Sequence, residues 1–226
     1  REEVSPEFWS LKGEDTKYFL DKILAGDISN RKIAVLGART GEIIKQYWDG
    51  FCQAEEITLF DTSAGILKLA QEKLGGMNAN IRYCSTYNEG VEESELNKYD
   101  IVLAVNLLHT YEEPLKEVEW AALLLKREGD FYAIEYEELD PMGILISGLL
   151  ENGFVNRKRG RREHTPLLLL DDWKNIYGQA PFGEVAINRR GRLGALLIHA
   201  KNVTPEVIEM RSRILEYMNE NLTAYM

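Results

Sequence analysis

Residues 31–45, RKIAVLGARTGEIIK, run from a short apolar segment through a glycine-bearing turn into an amphipathic stretch. Ile33, Ala34, Val35 and Leu36 are too uniformly apolar for a half-exposed strand and too few for a helix, so they predict a central parallel strand. Gly37 and Gly41 supply turn geometry and let a ligand approach the backbone. Arg39 stands where glycine-rich dinucleotide turns carry a further glycine. By itself the stretch therefore reads either as a tight connection or as the opening of a cofactor crevice.

The remaining sequence narrows this. In 226 residues there is room for one sizeable core with helical additions. A formal net charge of -10 argues against a general nucleic-acid surface and favours a small or protein-tethered substrate. Cys52 and Cys84 are the two cysteines, and no CxxC or cysteine–histidine cluster occurs, so neither a metal site nor a disulfide framework is expected. A cytoplasmic setting is expected on the same ground. No apolar run reaches the roughly 18 residues that cross a bilayer, and the opening REEVSPEFWS lacks the order of a signal peptide, so no membrane association is expected. The absence of an initial methionine is expected of an excised piece.

Strand and helix alternate outward from the opening stretch. Before it, Tyr18, Phe19, Ile23 and Leu24 form an apolar face at helical spacing behind Asp15 as a candidate cap, giving a helical lead-in or lid over residues 1–30. After it, Glu42–Asp49 is the expected crossover helix and EITLF (56–60) a second strand ending at Asp61. Ser63 is expected to cap a helix that runs through Leu74 and stops at Gly75 and Gly76. Ile81–Cys84 and DIVLAV (100–105) read as the third and fourth strands. A helix over Pro114–Lys126, a turn at Arg127–Asp130 and a fifth strand, FYAIEY, follow. Beyond lie helices over Met142–Asn152 and Leu170–Tyr177, then strands Glu184–Asn188 and Gly194–Ala200 joined by so short a link that they must be antiparallel. This order predicts an α/β fold, a Rossmann-like, mostly parallel sheet with helices on both faces. The basic run RKRGRR (157–162) is a solvated loop or, in a sharper reading, an attractor for phosphopantetheine or an acidic partner domain.

Ligands of such sheets collect at the carboxyl ends of the strands. The first strand offers the Gly37–Gly41 backbone, with Ala38 and Arg39 inside it. The second offers Asp61, beside Thr62, as a grip on two ribose hydroxyls or as a helix cap. The third ends in CSTYN, where Ser85, Thr86 or the backbone must serve an adenine amine, since no acid is present. The fourth ends in VNLLHTY, placing Asn106 in the crevice and His109 at its rim. If the ends of strands four and five are neighbours, Glu135 holds one imidazole nitrogen and orients the other as a base; otherwise it is one of several solvated acids in EYEE.

IAVLGARTG, ITLFDTS, YDIVLAVNLLHTY, LLKREGDFYAIEYEE and GALLIHAK together resemble the class I S-adenosylmethionine-dependent methyltransferases over about residues 31–200. The resemblance implies a seven-stranded sheet with an antiparallel last strand, and S-adenosylmethionine held at Gly37–Gly41 and Asp61. More narrowly, NLLHTY, the later Glu135 and PLLLLDDWKNIYGQAPFGEV look like the methyltransferase domains embedded in polyketide synthases and nonribosomal peptide synthetases. That implies a His109–Glu135 pair acting on a carrier-protein-tethered substrate reached through phosphopantetheine, with neighbouring synthetase domains as partners. The domain division that follows is a core over 31–203 and a C-terminal helix over 204–226, whose RILEYMNENLTAYM resembles the point where an interrupted adenylation domain resumes. The expected reaction is carbon methylation, with nitrogen or oxygen methylation open. Alternatives are a cofactor-free epimerase or inactive remnant in which Arg39 fills the site, and a non-catalytic scaffold domain.

Overall fold

The computed structural model describes residues 13–77, 80–85, 93–139 and 167–204, together with Glu209. The expected helix over Met142–Asn152, the basic run RKRGRR, Thr86 and most of 204–226 lie outside the described residues.

The strands are β1 (Lys32–Leu36), β2 (Glu56–Asp61), β3 (Ile81–Ser85), β4 (Tyr99–Val105), β5 (Leu125–Tyr136), β6 (Phe182–Arg190) and β7 (Ala195–Val203). They form one sheet in the order β3-β2-β1-β4-β5-β7-β6, parallel from β3 through β5, with β7 antiparallel to both neighbours. The helices are α1 (Glu14–Leu24), α2 (Glu42–Gln46), α3 (Trp48–Phe51), α4 (Ala64–Leu74), α5 (Pro114–Leu124) and α6 (Leu170–Gln179). Because strand side chains alternate, each strand feeds two cores. Ile33, Val35, Ile57, Leu59, Leu103 and Val105 meet α1, α2 and α4 on one face. Ala34, Leu36, Phe60, Val102, Ala104, Phe131 and Ala133 meet α5 and α6 on the other.

Local chemistry explains most boundaries and several departures. Ser63 caps α4, accepting from the Ile66 N–H at 3.3 Å. Asp15 does not cap α1. It lies within the first turn, behind Gly13 as the N-cap, and its carboxylate receives the Arg190 guanidinium at 2.8 Å. The crossover over Glu42–Asp49 is two short helices, because Tyr47 leaves helical geometry (φ -113°, ψ 30°) and buries its ring. The helix before β5 ends at Leu124, and the turn expected at Arg127–Asp130 is a bulge within the strand: Leu125 pairs with Tyr99 while Asp130 pairs with Ile101. In the closing hairpin Arg189 and Arg190 belong to β6 and Gly194 to the turn, since Gly191 and Gly194 both take positive φ (71° and 61°).

Glu137 fastens this hairpin to the sheet. Its carboxylate accepts from Arg189 on β6 and from the Leu170 N–H at 3.1 Å, meeting the positive end of α6. At the opposite end of the sheet, Glu95 is almost fully buried. Burial pushes its carboxyl up, but hydrogen bonds from Arg82, Tyr99 and Lys98 outweigh that and hold it at about 2. Among the described residues no helix is long and apolar enough to cross a membrane.

Candidate active site

β1 lies between β2 and β4, so the chain crosses the sheet in opposite directions on either side of its carboxyl end, where open α/β sheets leave a crevice. The turn that begins there is compressed. Gly37 has φ 73°, Arg39 40°, Thr40 54° and Gly41 75°. Arg39 and the β-branched Thr40 are held in a region that costs a non-glycine residue about 1–3 kcal/mol, strain of the kind that collects at functional sites. At Gly41 a Cβ would come within 2.7 Å of Leu74 on α4, so close packing as well as φ requires glycine.

Asp61, the last residue of β2, clamps this turn. Its Oδ2 accepts from the Ala38 N–H at 3.0 Å and its Oδ1 from the Ser63 N–H at 2.8 Å. The two readings of Asp61 thus converge, because the carboxylate supports the start of α4 and faces the β1 turn together. A carboxylate offers about four lone-pair sites, so two backbone donors leave acceptor capacity over.

A cavity of about 220 Å³ opens beside it, lined by Leu36, Gly37, Phe60, Asp61, Thr62, Leu107, Leu108, Tyr111, Glu117 and Trp120. Ala38, Arg39 and Gly41 border the crevice without lining this cavity. Arg39 donates from its guanidinium to the Asn106 carbonyl, lying across from the end of β1 to the end of β4. Asn106 sits at φ 49° with its N–H on the Ile134 carbonyl at 2.6 Å. Ser85 is exposed at the end of β3, in register with Asp61, and does not line the cavity.

β4 and β5 are neighbours, so their ends do lie side by side, with Val105 opposite Ile134. Glu135 follows on the α5 and α6 face and is fully buried. Its Oε1 accepts from the Leu107 and Leu108 N–H groups at 3.0 and 2.7 Å, and its Oε2 contacts His109 Nδ1 at 2.7 Å. An ionised carboxylate only accepts, so Nδ1 carries the proton and Nε2 is left as the basic nitrogen. Glu135 is therefore no solvated acid of EYEE. The backbone that turns after β4 and the histidine on that turn close on one carboxylate.

Several residues of the site were not singled out in the sequence. Tyr177 on α6 is fully buried; burial first, and then the Glu135 charge, push its phenol well above the ordinary value. The Tyr177 hydroxyl and Trp173 Nε1 are buried with no hydrogen-bond partner among the described residues. Tyr111, Glu117 and Trp120 line the cavity from the segment after β4. Trp120 packs edge-on to Phe60, with ring centroids 5.4 Å apart. Helical spacing locates Glu117 and Trp120 on α5 but does not say that this edge borders a cavity.

Residues 34–133 match the family described as methyltransferase domain. The chain is 29% identical over 122 residues to highly reducing polyketide synthase 40 of Fusarium pseudograminearum, covering 53% of this chain and 5% of that synthase. It is 26% identical over 211 residues to the hybrid PKS-NRPS synthetase phm1 of Pyrenochaetopsis sp, covering 87% of this chain and 5% of that protein. The chain thus spans about a twentieth of the length of these curated relatives. Among solved structures, the citrinin polyketide synthase CMeT domain superposes with a TM-score of 0.68 at 21% identity, covering 84% of this chain and 52% of that one. The trans-methyltransferase CalH, in complex with SAH, gives a TM-score of 0.68 at 18% identity, covering 88% and 58%. Residues 34–133 thus match the methyltransferase-domain family, and the sheet order and these superpositions show a fold shared with the citrinin polyketide synthase CMeT domain and with CalH.

Proposed function

We propose that this domain uses S-adenosylmethionine to methylate an activated carbon of a carrier-tethered acyl or peptidyl intermediate. The observation that carries the reading is the buried His109–Glu135 contact on the turn after β4, whose Leu107 and Leu108 line the cavity that Asp61 borders. The crevice fits the adenosyl part of the cofactor: Leu36, Phe60 and Leu107 give it an apolar lining, and Asp61 retains acceptor capacity for ribose hydroxyls. At about 220 Å³ the cavity is below the roughly 300–1,000 Å³ of a complete small-molecule site, as suits part of a cofactor.

When bound, the cofactor supplies an electrophilic sulfonium methyl group. The protein's work is to remove a proton beside the substrate's activated carbonyl and to hold the reacting atoms in line. His109 Nε2 takes the α proton, Nδ1–H stays on Glu135, and Glu135 stabilises the imidazolium that results. The Leu107 and Leu108 N–H groups fix Glu135, so the base is oriented by the sheet rather than by a mobile side chain. The similarity to synthase domains supports phosphopantetheine as the tether and synthetase domains as neighbours.

A second reading has its own observation. Arg39 lies across the turn onto the Asn106 carbonyl, toward the place the cofactor's methionine part is expected to take. A domain in which it stayed there would remove and return an α proton without methyl transfer, as an epimerase. Calorimetric titration with S-adenosylmethionine separates the two, followed by methyl transfer to an acyl-pantetheine and location of the new methyl by NMR. Micromolar binding and a carbon-bound methyl are expected. No binding at millimolar cofactor refutes methylation, and α-deuterium exchange that depends on His109 would then identify the epimerase.

A further inference from the structure

We propose that Glu117, on the helix after β4, is the residue that recognises the adenine amine of the cofactor, a role that Ser85, exposed at the end of β3, does not fill. This rests on the reading of the crevice as an adenosyl site and specifies which base the site selects.

Three observations lead there. First, the cavity has an acid at each of two positions, Asp61 from β2 and Glu117 from α5, and Tyr111 senses both. Burial raises the Tyr111 phenol to about 12, with the charges of Glu117 and then Asp61 adding to the rise and Arg39 opposing it. Tyr111 therefore lies within electrostatic range of the two carboxylates. Second, the two acids differ in their commitments. Asp61 already holds two backbone N–H groups, whereas no hydrogen bond or ion pair to Glu117 is found among the described residues. Burial alone raises the Glu117 carboxyl above its usual value. A half-buried carboxylate without donors is costly unless a ligand supplies one.

Third, the lining that Glu117 shares is apolar and aromatic. Phe60 and Trp120, edge to face at 85°, line the cavity with Leu36 and Leu107. A heterocycle with a polar amine at its edge suits such a lining, because its faces meet apolar groups while the amine donates to the carboxylate. The third strand offers no rival acid among the described residues: Ser85 is exposed and does not reach the cavity.

The test is calorimetric titration of the full chain with S-adenosylhomocysteine and with S-inosylhomocysteine, in which an oxygen replaces the exocyclic amine. A hydrogen bond to a charged acceptor corresponds to roughly ten- to hundred-fold in affinity, and the wild type should prefer the adenosyl ligand by that factor. Glu117→Gln should reduce the preference to about three-fold or less, because its amide can donate to the inosine oxygen. Since Glu117 is only half-buried, the melting temperature should stay close to wild type. Equal binding of both ligands by the wild type, or a preference that survives Glu117→Gln, overturns the proposal while leaving the adenosyl reading intact. Binding of neither ligand by the wild type overturns the adenosyl reading and this proposal together.

Discussion

Replacing Glu135 by glutamine tests whether His109 is an oriented base or a buried histidine that happens to be paired. The carboxylate takes three donors: two backbone N–H groups on Oε1 and the imidazole Nδ1–H on Oε2. Glutamine keeps one carbonyl oxygen, and the two backbone N–H groups claim it, because they have no other acceptor in that turn. The amide NH2 then faces Nδ1, which must become the acceptor, and the ring proton moves to Nε2. The nitrogen expected to take the substrate proton is thereby blocked, with almost no change in shape. A charge-assisted hydrogen bond becomes a neutral one, a difference of about 1–2 kcal/mol, which lowers the melting temperature by roughly 2–8 °C in a chain of this size. The rate should fall by about a hundred- to ten-thousand-fold, the usual worth of a general base. Nitrogen NMR of the imidazole reads the tautomer, and a single-turnover methyl-transfer assay reads the rate. Glu135→Ala is the poorer experiment, because it leaves three donors buried and unmatched at about 1–3 kcal/mol each, comparable with the whole stability of a domain. A Glu135→Gln protein that stays folded, shows the proton on Nε2 and still turns over within ten-fold of wild type refutes the role given to the pair.

Two further outcomes are expected. Arg39→Gly places glycine at φ 40° and frees the crevice from the guanidinium; stability should change by no more than about 1–2 kcal/mol, and S-adenosylhomocysteine should bind about ten-fold more tightly by calorimetry, since binding no longer has to displace the bond to Asn106. Unchanged or weaker binding would show that Arg39 does not stand in the cofactor's way. Glu95, at about 2 in the folded protein against 4.5 ordinarily, has a depressed value. Its contribution, on the order of 3 kcal/mol, should therefore be complete above about pH 4.5 and lost progressively as the pH falls toward 2. Denaturant titrations at pH 7 and pH 3 should show this loss in the wild type and a flatter response in Glu95→Gln.

The fold was legible because its signal is local. IAVL, ITLF and IVLA are short, doubly buried runs, and a link too short for a crossover forces the hairpin antiparallel. Ser63 and the two glycine stops act within one turn of their helix and were readable for the same reason. Sequence and structure part where a distant partner decides the outcome. Asp15 leaves the cap position to a glycine and meets Arg190, 175 residues away. The bulge before Asp130 is set by pairing with β4, which no local propensity encodes. In the site, Asp61 and the His109–Glu135 contact followed from strand-end logic, since residues that end adjacent strands must be near each other. Glu117 did not, because an amphipathic helix shows which edge is polar but not what that edge faces. Ala38 and Arg39 lie in the turn after β1, but only the structure shows one tied to Asp61 and the other reaching to Asn106.

The antiparallel β7 has a consequence for how the domain is made. Glu135 belongs to a strand whose far side is covered only when Leu196 arrives opposite it, and Leu196 is 61 positions later in the chain. During vectorial synthesis β5 must therefore wait as an open edge while the four parallel strands before it can already assemble. The half of the domain that forms the crevice is thus complete before the half that carries the His109–Glu135 contact is sealed. A nascent chain released before residue 195 would present the crevice with β5 still unpaired on one side.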